Sequence, residues 1–420
     1  MAGKSVLYAT LKPFVNWACR LFYRNLHVRN AAQLNETQAP VLLISNHQNA
    51  LMDPLLCCIT SPKQLNFLTR ADVFKKPWAK KILFSLNMLP VYRPHDKVNI
   101  LESNAPTFKE SLRRLENNQV ISLFPEGTHQ PDQNLKPFKK GAARLVGDLF
   151  DSGSHSKFII QPVGLHFTNI MHSGYPGFAH FGEQVEVHAS ELDLVQENRS
   201  KMVLALTTRL QQILQKYVVH IDEDELYTKK LFVFRALQWS NLFSKRKSNL
   251  LEFKALELEL DQHLTKLDGF SDEELEQVEK SSFDTPALVL AANKQLRKKF
   301  GRKLLALIPI YIIGMLSVAI PYFIGRALSA KMVKDVCFTS TAKIVLGAVL
   351  TPLWWIGLFM ILLPFMHIWG AALSLVILIF CGAIFLKYHT SYRILLRARS
   401  LRTSADQRMK NAVKQILNLA

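Results

Sequence analysis

A histidine and an aspartate flank a short apolar run in Ser45-Asn46-His47-Gln48-Asn49-Ala50-Leu51-Met52-Asp53-Pro54, immediately after the strand-like VLLI. Histidine exchanges its proton nearest neutrality, so a histidine held by a carboxylate is the pair that general-base chemistry calls for. On a regular helix this separation puts the two side chains about 240° apart. His47 therefore belongs to a turn ahead of the helix, with the chain folded back so that Asp53 reaches the ring and fixes its tautomer. The alternative is a polar helix start that contains both residues without using them. Further along, Arg93 in LPVYRPHD offers a planar fork suited to phosphate oxygens. FPEGTHQPD sets Glu126, Gly127 and Thr128 after a second apolar run, where backbone N–H groups and a hydroxyl can meet a ligand and glycine lets it come close. Lys136, Lys139 and Lys140 follow in NLKPFKKGAARL, either as phosphate ligands or as a solvated, headgroup-facing cluster. His129, His166 and His172 show no convergent ligand spacing, so no metal is assigned.

The elements that must position these residues lie between 40 and 190, where VLLIS, LNFLT, VISLF, FIIQPVGL and QVEVHA alternate with helical patterns. Short apolar runs separated by longer helical stretches predict an α/β layered domain with a largely parallel sheet. Chemistry in such folds gathers beyond the carboxyl ends of strands. His47 stands just past VLLIS and Glu126 just past VISLF, where a site is expected. From about 191 to 300 the pattern turns helical and charged, a connector without recognisable chemistry, in which Ser271 and Glu274 have the spacing of a capping box.

Lysine and arginine exceed aspartate and glutamate by 52 to 33, a net charge of +19, which points to phosphate-bearing partners without choosing among them. The last third chooses. Leu304–Gly325 and Ile344–Leu386 carry no Asp, Glu, Lys or Arg, and a bilayer core needs about 20 apolar residues, so the first run can cross once and the second twice. Basic residues at both ends of this region favour an even number of crossings, whereas the apolar stretches count three; the proline-containing first run is then a candidate re-entrant or interfacial element. VLYATLKPFVNWACRLFY near the start suits an amphipathic helix at a membrane surface or one packed on the domain body. The five cysteines have neither CxxC spacing nor an even framework, which argues against disulfides and zinc and for a reducing compartment. A transporter would want charged residues inside the spans and a nucleic-acid binder a basic motif away from them; neither is present.

Taken in order, SNHQNALMDP, the block around Arg93, FPEGTHQPD, PFKKGAARL and IIQPVGLHF resemble the glycerophospholipid acyltransferase superfamily, the PlsC-like enzymes, over about residues 20 to 190. Two departures resemble the yeast-type glycerol-3-phosphate and dihydroxyacetone-phosphate acyltransferases: five residues rather than four separate His47 from Asp53, and His129 stands where the third block usually ends in arginine. The resemblance implies His47 as base with Asp53 orienting it. It further implies Arg93, Glu126, Gly127 and Thr128 at the acceptor, with Glu126 on a substrate hydroxyl or ordering the loop, Lys139 and Lys140 on phosphates of the acceptor or of coenzyme A, and Pro162 at the acyl donor or shaping the pocket. The implied reaction moves a fatty acyl group from acyl-CoA or acyl carrier protein to glycerol-3-phosphate or dihydroxyacetone phosphate, with lysophosphatidate as the rival acceptor. It needs no cofactor beyond that co-substrate. The expected layout is a membrane-surface helix at 1–30, a catalytic domain at 31–215 facing the cytoplasm, a helical connector at 216–302, a transmembrane region at 303–388 and a basic tail at 389–420.

Overall fold

The computed structural model describes residues 5–93, 96–193, 198–244, 249–281 and 283–419. It opens with α1 (Val6–Phe22), β1 (Leu26–Arg29), α2 (Gln33–Glu36), β2 (Val41–Ser45), α3 (Met52–Thr60), β3 (Leu65–Arg70), α4 (Pro77–Ser85) and β4 (Met88–Val91). There follow α5 (Ile100–Glu116), β5 (Val120–Leu123), α6 (Gly141–Asp151), β6 (Lys157–Phe167), β7 (Gly177–Phe181) and β8 (Val185–His188). The rest is helical: α7 (Ala189–Asp193), α8 (Arg199–Gln215), α9 (Tyr227–Ser244), α10 (Leu250–Leu256), α11 (Asp272–Lys280), α12 (Asp284–Ala292) and α13 (Lys294–Ala306), then α14 (Ile308–Met332), α15 (Thr339–Leu362), α16 (Ile368–Ser400) and α17 (Ser404–Ile416).

The strands form one sheet in the order β1-β7-β6-β2-β5-β3-β4, with β8 beside β6. Pairs β1–β7, β2–β5, β2–β6, β3–β4 and β3–β5 run parallel, while β6–β7 and β6–β8 run antiparallel. This is the largely parallel α/β fold that the sequence predicts. Strand β2 shows why VLLIS has no polar alternation: all five of its residues are buried. Val41 and Leu43 join the core under α1 and α3, and Leu42 and Ile44 the core under α6 and α8. A strand covered on both faces needs an apolar side chain at nearly every position.

Three features of the structure lie across the expected layout. The sheet begins before residue 31, because β1 pairs with β7 from Leu26↔Gly177 to Arg29↔His180; four residues are too few to carry a periodic signal. The stretch read as a connector is packed, with Phe232, Phe234, Phe253, Leu288 and Leu290 in one core with Ile394, Ala398 and Val413 and with Phe178 of β7. Helix α12 is buried from Thr285 to Ala292, and its Asp284 is held by Arg397 Nε at 2.5 Å. The segment from 389 is accordingly no separate tail: α16 runs through to Ser400 and α17 closes onto the same core, its charges lying on the outer face while Met409, Ala412, Val413 and Ile416 point inward. Ser271 does cap α11 with Glu274 in a reciprocal box.

Three segments, Ile308–Met332, Val336–Phe365 and Ile368–Ser400, are long and apolar enough to cross a membrane. Small residues let α14 and α16 touch closely. Ser317 Oγ donates to Leu378 O at 2.9 Å, and a Cβ on Gly314 would collide with the Cys381 carbonyl. Gly314→Val should therefore cost about 1–3 kcal/mol, the usual range for overpacking, and lower the apparent Tm in detergent. Gly347→Ala on α15, where an added Cβ meets nothing within 4 Å, should leave that Tm unchanged or raise it slightly. Equal effects of the two would show the α14–α16 contact to be loose.

Candidate active site

Past Ser45 the chain leaves the sheet, and Asn46 fastens it by prolonging the β2–β6 pairing with its carboxamide. Its Nδ2 donates to Leu165 O at 2.9 Å and its Oδ1 accepts from Leu165 N at 2.8 Å. The chain then reverses at Ala50, whose φ of 38° lies in the left-handed region, at a cost of roughly 1 kcal/mol for a residue with a Cβ. That reversal absorbs the long spacing. It carries Asp53, in the first turn of α3, back beneath His47, whose Nδ1 lies 2.7 Å from Asp53 Oδ2. The same oxygen accepts from Asn49 N at 2.7 Å, and Asp53 is fully buried. The carboxylate commits the ring proton to Nδ1, which leaves Nε2 with its lone pair and makes it the basic nitrogen.

His47 is held from every side. Its ring stacks on Phe124 at 4.3 Å and 19°, its N–H donates to Glu126 Oε1 at 2.7 Å, and its carbonyl accepts from Gln130 N at 3.0 Å. With the side chain still 17% exposed, a small molecule can reach it. Glu126 is engaged at both oxygens. Only 3% exposed, it takes the His47 N–H on one oxygen and the Lys136 N–H, at 3.0 Å, on the other. Burial pushes its carboxyl up to about 7, against the opposing pull of those two N–H groups. It thus ties the loop of the base to the loop of the lysines.

Gly127 occupies the left-handed region at φ 74°, and its N–H donates to Phe124 O at 3.0 Å, so glycine is required by the turn itself. Thr128, Lys139 and Lys140 are exposed along the same rim, Lys139 anchored by its N–H to Pro125 O at 2.7 Å. Lys136 pairs with Glu223 at 2.6 Å. Pro162 lies in β6 opposite Ile44 of β2. Arg93 follows β4, the third strand from β2 in the sheet order. Its N–H donates to Asp96 at 2.6 Å, and its Nε is buried with no hydrogen-bond partner among the described residues. Its neighbours Pro94 and His95 lie outside the described residues.

One part of the site has no local signal in the sequence. His129 stands edge-on to His47, ring centroids 5.4 Å apart, and its Nε2 lies 2.8 Å from Asp335 Oδ2, in the loop between α14 and α15. Phe338 closes on the other edge of His129 at 5.3 Å. The hydrogen bond to His129 holds Asp335 below the usual carboxylate range. His129, Asp335 and Cys337 bring one potential ligand atom each within 4.8 Å of one another, although His129 and Asp335 already spend theirs on each other. Of the other histidines, His166 is buried in the core against Gln238, 2.5 Å away, and burial lowers its pKa to about 3.

The acyltransferase family model matches residues 25–166, which contain His47, Asp53, Glu126 and His129. The chain is 26% identical over 190 residues to a chloroplastic 1-acyl-sn-glycerol-3-phosphate acyltransferase of Arabidopsis thaliana, covering 43% of this chain and 49% of that one. It is 28% identical over 130 residues to a taffazin of Dictyostelium discoideum, 29% and 44% of the two chains, and 25% identical over 154 residues to a 1-acyl-sn-glycerol-3-phosphate acyltransferase of Borreliella burgdorferi, 35% and 56%. The chain thus spans about half the length of the curated relatives it matches. The crystal structure of the 1-acyl-sn-glycerophosphate acyltransferase PlsC from Thermotoga maritima aligns with 50% of this chain and 83% of its own at a TM-score of 0.34 and 17% identity. Over residues 25–166 the chain is thus similar to the acyltransferase family.

Proposed function

We propose that this chain transfers a fatty acyl group from an acyl thioester, acyl-CoA or acyl carrier protein, to a hydroxyl of a glycerol phosphate at the cytoplasmic face of a membrane. The 2.7 Å contact between His47 and Asp53 carries the reading. Nε2 of His47 takes the proton of the acceptor hydroxyl as its oxygen attacks the thioester carbonyl. The tetrahedral intermediate collapses, the C–S bond breaks, and the imidazolium returns the proton to the departing thiolate. Asp53 stabilises that imidazolium and keeps its proton on Nδ1. The nucleophile belongs to the substrate, so no covalent enzyme intermediate is needed. Glu126 holds the base in place, and Arg93 with the exposed rim of Thr128, Lys139 and Lys140 meets the phosphates of acceptor and donor.

Glycerol-3-phosphate is the first acceptor, on the strength of the long His47–Asp53 spacing and of His129 in the third block. The second reading, 1-acylglycerol-3-phosphate, is favoured by what the Arabidopsis and Borreliella relatives are named for. Purified enzyme given one acyl-CoA and matched glycerol-3-phosphate, dihydroxyacetone phosphate and 1-acylglycerol-3-phosphate should acylate glycerol-3-phosphate fastest. Preference for the acylated acceptor would select the second reading. Arg93→Ala should raise the acceptor's KM more than it lowers kcat, since a contact equal in ground and transition states appears in KM.

His47→Ala should lower turnover by roughly 10²- to 10⁴-fold while the protein still inserts and folds. Asp53→Asn should be severe as well, because the amide neither stabilises an imidazolium nor enforces the tautomer; parental activity in either variant would remove the base from the mechanism. Glu126 gives a test by pH. Its carboxyl pKa is raised on folding from 4.5 to about 7, so its contribution to stability is full below the lower value and is lost as pH rises through the higher one, up to about 3 kcal/mol. Apparent Tm should thus fall from pH 5 to pH 8 more for the parent than for Glu126→Gln, which is neutral throughout. Parallel curves would show that the carboxyl ionises freely in the fold.

A further inference from the structure

Outside the sheet, residues of α1, α14, α15 and α16 line a partly open cavity against the loop at His172 and Ser173. Its walls are apolar, with Trp17 of α1, Val318 of α14 and Ile344 and Trp355 of α15 among them. Three cations also face it, Arg326, Lys343 and Arg393, and no aspartate or glutamate is found among its described lining residues.

The cations gather at one end. Lys343 Nζ donates to Met171 O at 2.6 Å and lies 3.5 Å from His172 Nδ1, and the Arg393 guanidinium sits 3.9 Å from the ring centre of Phe283. Burial, and after it the positive charges of all three, lower the pKa of His172 to about 4, which keeps that ring uncharged. Three like charges in a partly apolar setting repel one another, and an anion with several acceptor oxygens converts that repulsion into charge-assisted hydrogen bonds. One end of the cavity therefore suits a phosphate and the rest suits hydrocarbon.

The cavity adjoins the reaction centre through α15. Phe338, at the start of that helix, packs on His129, which packs on His47. Lys343 follows about 7.5 Å further along the axis, and Ser340 between them donates to the carbonyl of Ile170. We propose that this cavity binds a single-chain lipid with a phosphate head, the 1-acylglycerol phosphate that one reading of the reaction releases and the other consumes. The identity of the headgroup rests on the acyl-transfer reading; binding itself does not require turnover. The membrane helices thereby supply the lipid's passage between bilayer and site.

The test uses the full chain carrying His47→Ala, in phosphatidylcholine nanodiscs, with a photoactivatable 1-acylglycerol-3-phosphate bearing a diazirine on its chain. Label should fall on the cavity faces of α14 and α15. Arg326→Ala with Lys343→Ala should reduce it roughly tenfold or more, the scale of lost charged hydrogen bonds, whereas Lys343→Arg should retain it. Gly347→Phe should abolish it by filling space where an added Cβ meets nothing within 4 Å, so that the helix itself is not obstructed. Excess unlabelled 1-acylglycerol-3-phosphate should compete, and inorganic phosphate at the same concentration should not. The proposal falls if label persists in both the double variant and Gly347→Phe, or if inorganic phosphate competes as well as the lipid. It also falls if a lysophosphatidylcholine probe, which needs no variant, labels the cavity equally. Absence of turnover in the parent enzyme would remove the acyl-transfer reading and leave a positive labelling result standing.

Discussion

A fully buried carboxylate at the start of a helix is the constraint on which the rest of this site depends. Asp53 is stable there only if its charge is answered, and the answer is local. The N-terminal end of α3 favours a negative charge, and Asn49 N and His47 Nδ1 both point at one of its oxygens, 2.7 Å away in each case. The need to bring those two donors together bends the chain at Ala50 and sets His47 over Asp53. Phe124 and Glu126, from the end of the neighbouring β5, then hold the ring and backbone of His47 from the other side. Since β2 and β5 are adjacent parallel strands, their two loops emerge at the same end of the sheet, and one buried glutamate can join them.

The C-terminal half is bound into this arrangement. The loop between α14 and α15 supplies Asp335 to His129 and Phe338 to its ring, while Thr390 of α16 donates to Ser173 O at 2.5 Å. Helices long enough for a membrane therefore meet the loop that carries His129, whose ring lies beside His47.

The sequence made the central pair legible because the chemistry and the fold impose the same spacing: a strand with no polar alternation, a histidine just beyond it, an aspartate too far round a helix to meet it without a turn. The sequence locates Glu126 and leaves it two uses, a substrate hydroxyl or the order of its loop, without naming the partners. Its neighbours in sequence give no sign that both oxygens are taken by N–H groups of His47 and Lys136, one of them from another loop. The link from His129 to Asp335 spans 206 residues, and the cue at hand was a histidine in place of an arginine. The connector hid its core for a different reason. Its helices bury apolar faces against α16 and α17 as well as each other, so the run TPALVLAA of α12, buried throughout, is the clearest local trace of a body assembled from distant segments.

Direct transfer without an acyl-enzyme is the central claim, and it can be read from the first turnover. Rapid-mixing measurement of thiol release from acyl-CoA, with intact-protein mass spectra taken in parallel, separates base catalysis on the acceptor from nucleophilic catalysis by the enzyme. If His47 activates the acceptor hydroxyl, thiol appears only when the glycerol phosphate acceptor is present and no acyl adduct forms on the chain. A stoichiometric burst of thiol without acceptor, accompanied by the mass of an acylated protein, would contradict the mechanism.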